Sequence, residues 1–331
     1  SWTLRHRNGN PRKFYTPETV MVQADLISQI TLKASAITIG GYDGIHCGHR
    51  FLLDAMLKDA HQQSLPTVMV TFDPLPFVFF QKPKFPKNII LPQERAEIAE
   101  QIGIDYLITL KFDQKLADQS ASDFISELSE SLGLKSLWVG EDFSLGKNRE
   151  GSQETLKKLA DQFHFALHIL PKLEMDGGIV SSTWIRGLIT EGQVQEAAKL
   201  LGYPFFIENK IVHGAGRGKK LGFPTVNMQI PKGKIIPAIG VYTTYIRLHG
   251  KKFPAITNVG TRPTFYNDHQ IVLETFVFSS DGKDEYGETA RVEFLEYMRP
   301  EFKFGSADEL VNQIRQDIRH AEAFFEKQNQ L

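Results

Sequence analysis

His46 and His49 are the side chains of this 331-residue chain best placed for chemistry. They lie in the segment Tyr42–Phe51, which follows the apolar run Ala36–Gly40. A strand, a glycine-bearing turn and a helix start offer free backbone N–H groups to an anion, and imidazole donors can follow charge as it moves. The pattern predicts a nucleotide triphosphate site, with two catalytic histidines and three phosphate-binding positions: Gly40, Asp43 and Gly48.

Two other interpretations of the histidine pair remain open. Histidines often cap helices, and they are also common metal ligands. Zinc usually needs three or four protein ligands, however, and only Cys47 and Asp43 stand close by. The strand–turn–helix context favours phosphate.

Two further segments of the first half resemble parts of a ligand site. A loop after a predicted strand contains Asp142 and Phe143, and a carboxylate beside an aromatic ring suits the wall of a ligand pocket. Ser182 and Thr183 supply hydroxyls at a helix start, with Arg186 one turn on, which predicts a second phosphate-binding segment. An ordinary turn and an ordinary helix cap are the alternatives.

The segment His213–Asn227 is the densest motif of the second half. Its alternating glycines and cationic residues suit phosphate, which predicts binding by Gly214, Gly216, Arg217, Gly218 and Lys219. It fails the P-loop pattern, because no Ser or Thr follows the lysine at the required place. It also fails the dinucleotide pattern, which needs a helix directly after the glycines. A flexible hairpin with incidental charges is the alternative.

Three polar residues of the second half could serve a phosphoryl transfer. Thr225 and Asn227 are two residues apart, so on an extended segment they face the same side. Their hydroxyl and amide oxygens could hold Mg²⁺ together with phosphates. Glu274 lies in the apolar run Val272–Phe278, either as a base against a substrate hydroxyl or on the solvent face of an edge strand.

Short β-rich runs alternate with helical patterns from residue 36 to about 170. The predicted strands are Ala36–Gly40, Thr67–Phe72, Tyr106–Leu110, Ser136–Gly140 and Ala166–Leu170. The predicted helices lie near 49–63, 92–102, 121–132 and 152–162, several of them opened by Pro92, Ser120 or Ser152. This alternation predicts an α/β fold with a doubly wound parallel sheet, whose ligands bind beyond the C-terminal ends of the strands.

The pattern changes after two helical stretches, Thr183–Glu191 and Val194–Leu201. Strand-like runs follow at Phe205–Val212, Val241–Leu248, Phe253–Val259, Ile271–Phe278 and Arg291–Leu295, and they predict an antiparallel β-barrel. An amphipathic helix from Ser306 to about Lys327 closes the chain. We therefore predict an N-terminal extension of unknown role over 1–35, a first domain over 36–186, a helical linker over 187–202 and a second domain over 203–331.

Composition limits the class of protein and its partners. Hydrophobic residues make up 41% and charged residues 23% of the chain, as in soluble globular proteins. The net charge of −1 gives no field that would favour nucleic acid or an anionic membrane, and no apolar run is long enough to cross a bilayer. One cysteine excludes an internal disulfide and suits a reducing compartment. We predict a cytoplasmic protein with small-molecule partners, no nucleic acid and no membrane, and we leave a homo-oligomer open.

Taken in order, the motifs resemble those of the bifunctional prokaryotic riboflavin kinase/FAD synthetase family, over about residues 36–325. The motifs are Gly-Tyr-Asp-Gly-Ile-His-Cys-Gly-His, Gly-Glu-Asp-Phe-Ser-Leu-Gly, Ser-Ser-Thr-Trp-Ile-Arg and Gly-Arg-Gly-Lys-Lys-Leu-Gly-Phe-Pro-Thr-Val-Asn. The resemblance implies a nucleotidylyltransferase-like FMN adenylyltransferase domain followed by a riboflavin kinase barrel. Its implied substrates are riboflavin, FMN and ATP, with Mg²⁺ as the cofactor.

The resemblance also implies a role for each site residue. His46 and His49 would stabilise the ATP phosphates while the phosphate of FMN attacks the α-phosphorus. Asp142 and Phe143 would bind flavin, and the segment from Ser182 to Arg186 would bind phosphate. In the barrel, Thr225 and Asn227 match the Mg–ATP positions, and Glu274 matches the base for the riboflavin 5′-hydroxyl.

Departures from the family pattern gather in the first domain. Gly41 and Tyr42 stand where the family usually has Asn-Phe, Leu75 replaces a histidine, and Leu145 replaces a frequent aromatic residue. Cys47 replaces an aliphatic residue at a helix N-terminus, where thiolates are favoured, and we expect its alkylation to suppress FAD formation. These departures support one alternative, a riboflavin kinase with a degenerate nucleotide-binding domain. A non-catalytic flavin-binding protein and a nucleotidyltransferase for another phosphate ester are further alternatives.

Overall fold

The computed structural model describes residues 20–81, 87–147, 150–214, 222–263, 269–278 and 286–329. The chain divides into two compact units between Ser182 and Thr183. Among the described residues, no helix combines the length and the apolar character that spanning a bilayer requires.

The first unit is a six-stranded parallel sheet with helices between the strands. The strands are β1 (Val22–Ala24), β2 (Ser35–Ile39), β3 (Thr67–Asp73), β4 (Tyr106–Lys111), β5 (Leu134–Gly140) and β6 (Ala166–Leu170). The helices are α1 (Cys47–Gln62), α2 (Pro76–Gln81), α3 (Pro92–Ile102), α4 (Gln114–Ala117), α5 (Ala121–Leu132) and α6 (Gln153–Phe163). A short hairpin of β7 (Glu174–Met175) and β8 (Gly178–Ile179) follows.

The strand order β1-β4-β3-β2-β5-β6, with every pair parallel, confirms the predicted doubly wound sheet. All five residues of β2 are buried, as expected for a central strand covered on both faces. From β2 the chain runs through β3 and β4 on one side, and β5 and β6 lie on the other side. The loops after β2 and β5 therefore diverge and open a crevice at this edge of the sheet.

Local sequence signals account for the helix ends. Ser120 caps α5, because its hydroxyl accepts a hydrogen bond from the backbone N–H of Asp123 at 3.0 Å. Helix α5 ends at Gly133, whose φ of 57° is left-handed. Pro92 opens α3, and Ser152 caps α6 in the same way as Ser120 caps α5.

The structure places residues 20–35 inside the first unit, not in a separate extension that ends at residue 35. Strand β1 pairs with β4 and extends the sheet by one strand. Ile27 and Ile30 are buried in the core beneath it. These residues lack a clear period because β1 has only three residues and a 3-10 turn, Ile27–Gln29, follows it.

The second unit is a closed antiparallel barrel with a C-terminal helix, as predicted. It begins with α7 (Ser182–Thr190) and α8 (Val194–Leu201). Its strands are β9 (Phe206–Val212), β10 (Thr225–Gln229), β11 (Gly240–Leu248), β12 (Lys251–Pro263), β13 (His269–Val277) and β14 (Thr289–Arg299), and α9 (Ala307–Asn329) ends the chain. The barrel order is β10-β13-β12-β11-β14-β9.

Helix α9 is fixed to the barrel by an apolar contact and an ion pair. Phe325 packs against the ring of Tyr245 at a centroid distance of 4.9 Å. The guanidinium of Arg299 donates to both carboxylate oxygens of Asp317, at 2.9 and 2.6 Å. Both partners are largely buried, so this bidentate pair is well shielded from water.

Candidate functional site

The turn between β2 and α1 has an unusual backbone. Tyr42 and Ile45 have φ angles of 47° and 35°, and Gly44 between them has a φ of 91°. Non-glycine residues rarely adopt left-handed angles, and such strain gathers at functional sites where the surroundings enforce it. The turn is therefore held in a defined shape by its contacts.

Asp43 is the main anchor of this turn, and the structure gives it partners other than the predicted phosphate. Its carboxylate accepts hydrogen bonds from the backbone N–H groups of Ile89 and Ile90, at 2.8 and 3.2 Å. Its carbonyl accepts one from the Ser182 hydroxyl at 2.7 Å. Asp43 is buried and does not line the adjacent cavity. A carboxylate would also repel phosphate, so its part here is to fix the turn.

The two histidines form a stacked pair at the start of α1. Their ring centroids are 3.7 Å apart and their planes differ by 16°. His46 caps the helix, since its Nδ1 accepts a hydrogen bond from the backbone N–H of His49 at 3.3 Å. Gly48 leaves room for this arrangement, because a Cβ there would lie 3.2 Å from the His46 ring. The capping interpretation thus applies to His46, within a site that also presents both rings to a cavity.

His49 is electrically neutral in this setting. Burial lowers its pKa well below the ordinary value, and the nearby His46 and Arg95 lower it further. Its buried Nδ1 has no hydrogen-bond partner among the described residues. The Tyr42 ring lies 5.1 Å from the His49 ring and supports it from the turn.

A cavity of about 980 Å³ opens beside the histidine pair, in the crevice between the loops after β2 and β5. The predicted site residues that line it are Gly40, His46, Gly48, His49, Asp142, Phe143 and Ser182. Thr183 and Arg186 lie on α7 in the second unit, so their phosphate-binding role remains a prediction.

Two side chains of opposite charge also line the cavity. Asp142 pairs with Lys172 through a 3.4 Å contact between Oδ2 and Nζ, and both residues line the cavity. Phe143 and Phe112 add aromatic surface to the lining. Cationic and aromatic groups in one cavity suit a ligand that carries both phosphate and a ring system.

Cys47 departs from its sequence-based expectation. It does not line the cavity. Burial raises the pKa of its thiol, and this outweighs the lowering effects of its backbone hydrogen bond and of Arg50. The predicted thiolate is therefore disfavoured, because burial dominates over the helix N-terminus.

The sequence interpretation did not identify two buried polar residues that connect to the turn, Arg95 and Thr71. Arg95 on α3 is only 1% exposed, and its Nη1 donates to the Thr71 hydroxyl at 3.0 Å and to the Phe72 carbonyl at 3.1 Å. The one available signal was helical spacing, since Arg95 stands four residues before the buried Ala99 on the same face. Arginine is rarely fully buried unless it is paired, so the burial of Arg95 requires an explanation.

The barrel presents a row of three polar side chains across adjacent strands. Asn227 pairs with Glu274 between β10 and β13, and Glu274 pairs with Asn258 between β13 and β12. Directly opposed residues point to the same face. Thr257 and Thr275 share a 2.9 Å hydrogen bond in the buried interior, so their neighbours in the row point outward.

This register resolves one alternative for Glu274. Strand β13 lies between β10 and β12 in a closed barrel, so Glu274 is not on an edge strand. Thr225 stands two residues from Asn227 on β10 and therefore faces the same side. The predicted set of Thr225, Asn227 and Glu274 is brought together on one face.

Gly214 contacts the amide of Asn227 closely. A Cβ at position 214 would lie 2.2 Å from Asn227 Nδ2, so only glycine fits without moving that side chain. The amide nitrogen of Asn227 also donates to the Thr225 carbonyl at 3.2 Å. The other predicted residues of this loop, Gly216, Arg217, Gly218 and Lys219, lie outside the described residues.

The described residues contain no group of three or more His, Cys, Asp and Glu side chains able to hold a metal ion. This leaves the histidine pair without the ligand set that zinc would need. The donor set on the barrel is different, because Thr225 and Asn227 offer hydroxyl and amide oxygens. Such oxygens, with a carboxylate across the row, fit a hard cation such as Mg²⁺.

Comparisons with known proteins match two families to successive parts of the chain. A family described as FAD synthetase matches residues 28–184, and a family described as riboflavin kinase matches residues 201–325. A bifunctional riboflavin kinase/FMN adenylyltransferase of Listeria monocytogenes is 32% identical, over 88% of this chain and 92% of the relative. One from Escherichia coli K12 is 34% identical, over 90% of this chain and 95% of the relative.

A solved structure matches the chain across both units. It is described as a macrolide-efflux protein from Streptococcus pneumoniae, and it is 31% identical with a TM-score of 0.83. The match covers 92% of this chain and 99% of that chain.

Proposed function

The chain belongs to the bifunctional riboflavin kinase/FMN adenylyltransferase family, and from this premise we propose how its residues carry out the two reactions. It is a transferase that phosphorylates riboflavin to FMN with ATP and adenylylates FMN to FAD with ATP. One observation most strongly supports a separate site for each reaction. Each unit has its own group of polar side chains: His46 and His49 in the first unit, and Thr225, Asn227 and Glu274 in the barrel.

In the first unit, the cavity beside His46 and His49 receives ATP and FMN. An oxygen of the FMN phosphate attacks the α-phosphorus of ATP, and the bond to pyrophosphate breaks. The imidazoles donate hydrogen bonds to the phosphates as charge moves to the leaving group. No covalent enzyme intermediate is needed, because positioning and charge stabilisation suffice. Asp142 and Phe143 contact the flavin, and Ser182, Thr183 and Arg186 bind phosphate.

The departure at Leu75 is compatible with this reaction. Leu75 is buried, and a Cβ at Gly41 would lie 3.5 Å from its side chain. It packs beneath the turn and does not line the cavity. The apolar residue thus leaves the stacked histidines and the cavity in place.

In the barrel, the riboflavin 5′-hydroxyl attacks the γ-phosphorus of ATP, and ADP leaves. Glu274 accepts the proton of that hydroxyl. Thr225 and Asn227 hold Mg²⁺, which neutralises phosphate charge when it is bound. Gly214 keeps the Asn227 amide in place. Phosphate binding by Gly216, Arg217, Gly218 and Lys219 stays a prediction from the sequence.

Matched variants of one chain test this division. Glu274→Ala should abolish FMN formation from riboflavin yet leave FAD formation from supplied FMN within about twofold of the parent. His49→Ala should do the reverse, with FMN accumulating from riboflavin. Products are resolved by chromatography, and removal of Mg²⁺ with a chelator should stop FMN formation by the parent. Equal loss of both activities in either variant would contradict two separate sites.

A further inference from the structure

Arg95 is a buried cation whose hydrogen bonds with the described residues go to neutral groups. Its Nη1 donates to the Thr71 hydroxyl and the Phe72 carbonyl, and its Nε has no hydrogen-bond partner among the described residues. Asp43 and Asp73 are close enough to favour its charged form, although burial opposes it. A buried guanidinium with an unsatisfied donor is unfavourable for stability, which raises the question of what else Arg95 contributes to the site.

A relay of hydrogen bonds connects Arg95 to the histidine turn. The Thr71 hydroxyl accepts from Arg95 and donates to the Gly41 carbonyl at 3.2 Å. Thr71 is fully buried, so water does not compete for these bonds. The relay fixes the direction of the peptide unit after Gly41, immediately before the strained Tyr42.

The same helix is tied to the turn a second time. The backbone N–H groups of Ile89 and Ile90, just before α3, donate to the Asp43 carboxylate. The turn is therefore held at two points, at Gly41 through Thr71 and Arg95, and at Asp43 through the backbone just before α3. A shift of Arg95 would reach the turn through Thr71.

The charge of Arg95 also acts on His49. His46 and Tyr42 lie against the His49 ring from the turn, and the positive charge of Arg95 also lowers the pKa of His49. Tyr42 itself stays neutral, since burial raises its pKa.

We propose that Arg95 is a positioning residue for adenylyl transfer, which aligns the histidine turn through Thr71. The inference rests on the adenylyltransferase function proposed above. Arg95 does not line the cavity, so it acts on the reaction through the turn and not through contact with substrate.

Three variants separate alignment from charge. Thr71→Val is nearly isosteric, cuts the relay and leaves the cation. Arg95→Lys keeps a cation but replaces the planar guanidinium with an ammonium group. Arg95→Met keeps an apolar stem and removes the charge. Riboflavin phosphorylation by the same chain is the internal control, and thermal unfolding with ATP titration reports whether the first unit is intact.

We expect Thr71→Val to lower kcat for FAD formation about tenfold, because it removes both hydrogen bonds of the relay, to Arg95 and to Gly41. FMN formation should not change. Arg95→Met should lower that kcat on the order of 100-fold, as for a misplaced catalytic group. It should also move the acidic limb of the pH–rate profile to higher pH, since the His49 pKa rises without the neighbouring cation. Arg95→Lys should leave that limb in place.

Each outcome decides the inference. Parental FAD rates in Thr71→Val and in folded Arg95→Met would overturn the proposed alignment, and an unmoved acidic limb in folded Arg95→Met would contradict a link between Arg95 and His49. Losses that only follow the unfolded fraction would assign Arg95 to stability and also overturn the inference. Failure of the parent itself to form FAD would instead remove the adenylyltransferase function.

Discussion

The substitution Gly48→Ala should have two opposite effects: it should stabilise helix α1, and it should displace the His46 ring. Replacing a helical glycine with alanine favours the helix by about 0.8–1.0 kcal/mol. The new Cβ, however, would lie 3.2 Å from both Cε1 and Nδ1 of His46. Carbon atoms pack at about 3.5–4.0 Å, so the ring must retreat by roughly 0.3–0.8 Å. It cannot move towards His49, whose ring is already stacked 3.7 Å away.

A 1 Å misplacement lowers rates about 100-fold, so we expect FAD formation by Gly48→Ala to fall about tenfold. FMN formation should not change, and the free energy of unfolding should not decrease. Gly187→Ala is the matched control, because a Cβ there meets nothing within 4 Å. It should gain helix stability and keep both activities. A parental FAD rate in folded Gly48→Ala would refute the coupling of this glycine to His46.

Two further predictions concern the thiol and the C-terminal helix. Alkylation of Cys47 by iodoacetamide, followed by mass spectrometry, should be slower at pH 7 than alkylation of a free thiol, because burial raises the pKa of Cys47. The alkylation rate should increase as the pH rises. Complete alkylation should suppress FAD formation but not FMN formation, and retained FAD formation would contradict this prediction. Asp317→Asn should destabilise the barrel unit by about 3 kcal/mol in denaturant titration, because it leaves the largely buried Arg299 without its charged partner, and a change below about 0.5 kcal/mol would contradict a structural role for the pair.

The sequence predicted those parts of the fold that have a clear period or a clear start signal. The alternation of strands and helices gave the parallel sheet, and Pro92, Ser120 and Ser152 marked helix starts that the structure has. Strand β1 was missed because three residues are too few to display a period. Strand β10 was recognised only as an extended segment around Thr225, because the glycine-rich loop dominates that stretch.

The sites were predictable where one motif supplied adjacent residues. His46, Gly48 and His49 are close in sequence, and the structure places them together. Arg95 was not predictable, because its link to the turn is tertiary and passes through Thr71 on another element. Asp43 was assigned to phosphate because its type and position suit a binding turn. Only the backbone partners at 89 and 90, distant in sequence, give it a structural role.

The most direct test of the central claim is a product time course with the parent chain, riboflavin, ATP and Mg²⁺. We predict that FMN appears first and that FAD follows as FMN is consumed, with both nucleotides resolved chromatographically. FMN without FAD would contradict adenylyl transfer at the histidine turn. Absence of both products would contradict the assignment of either reaction to this chain.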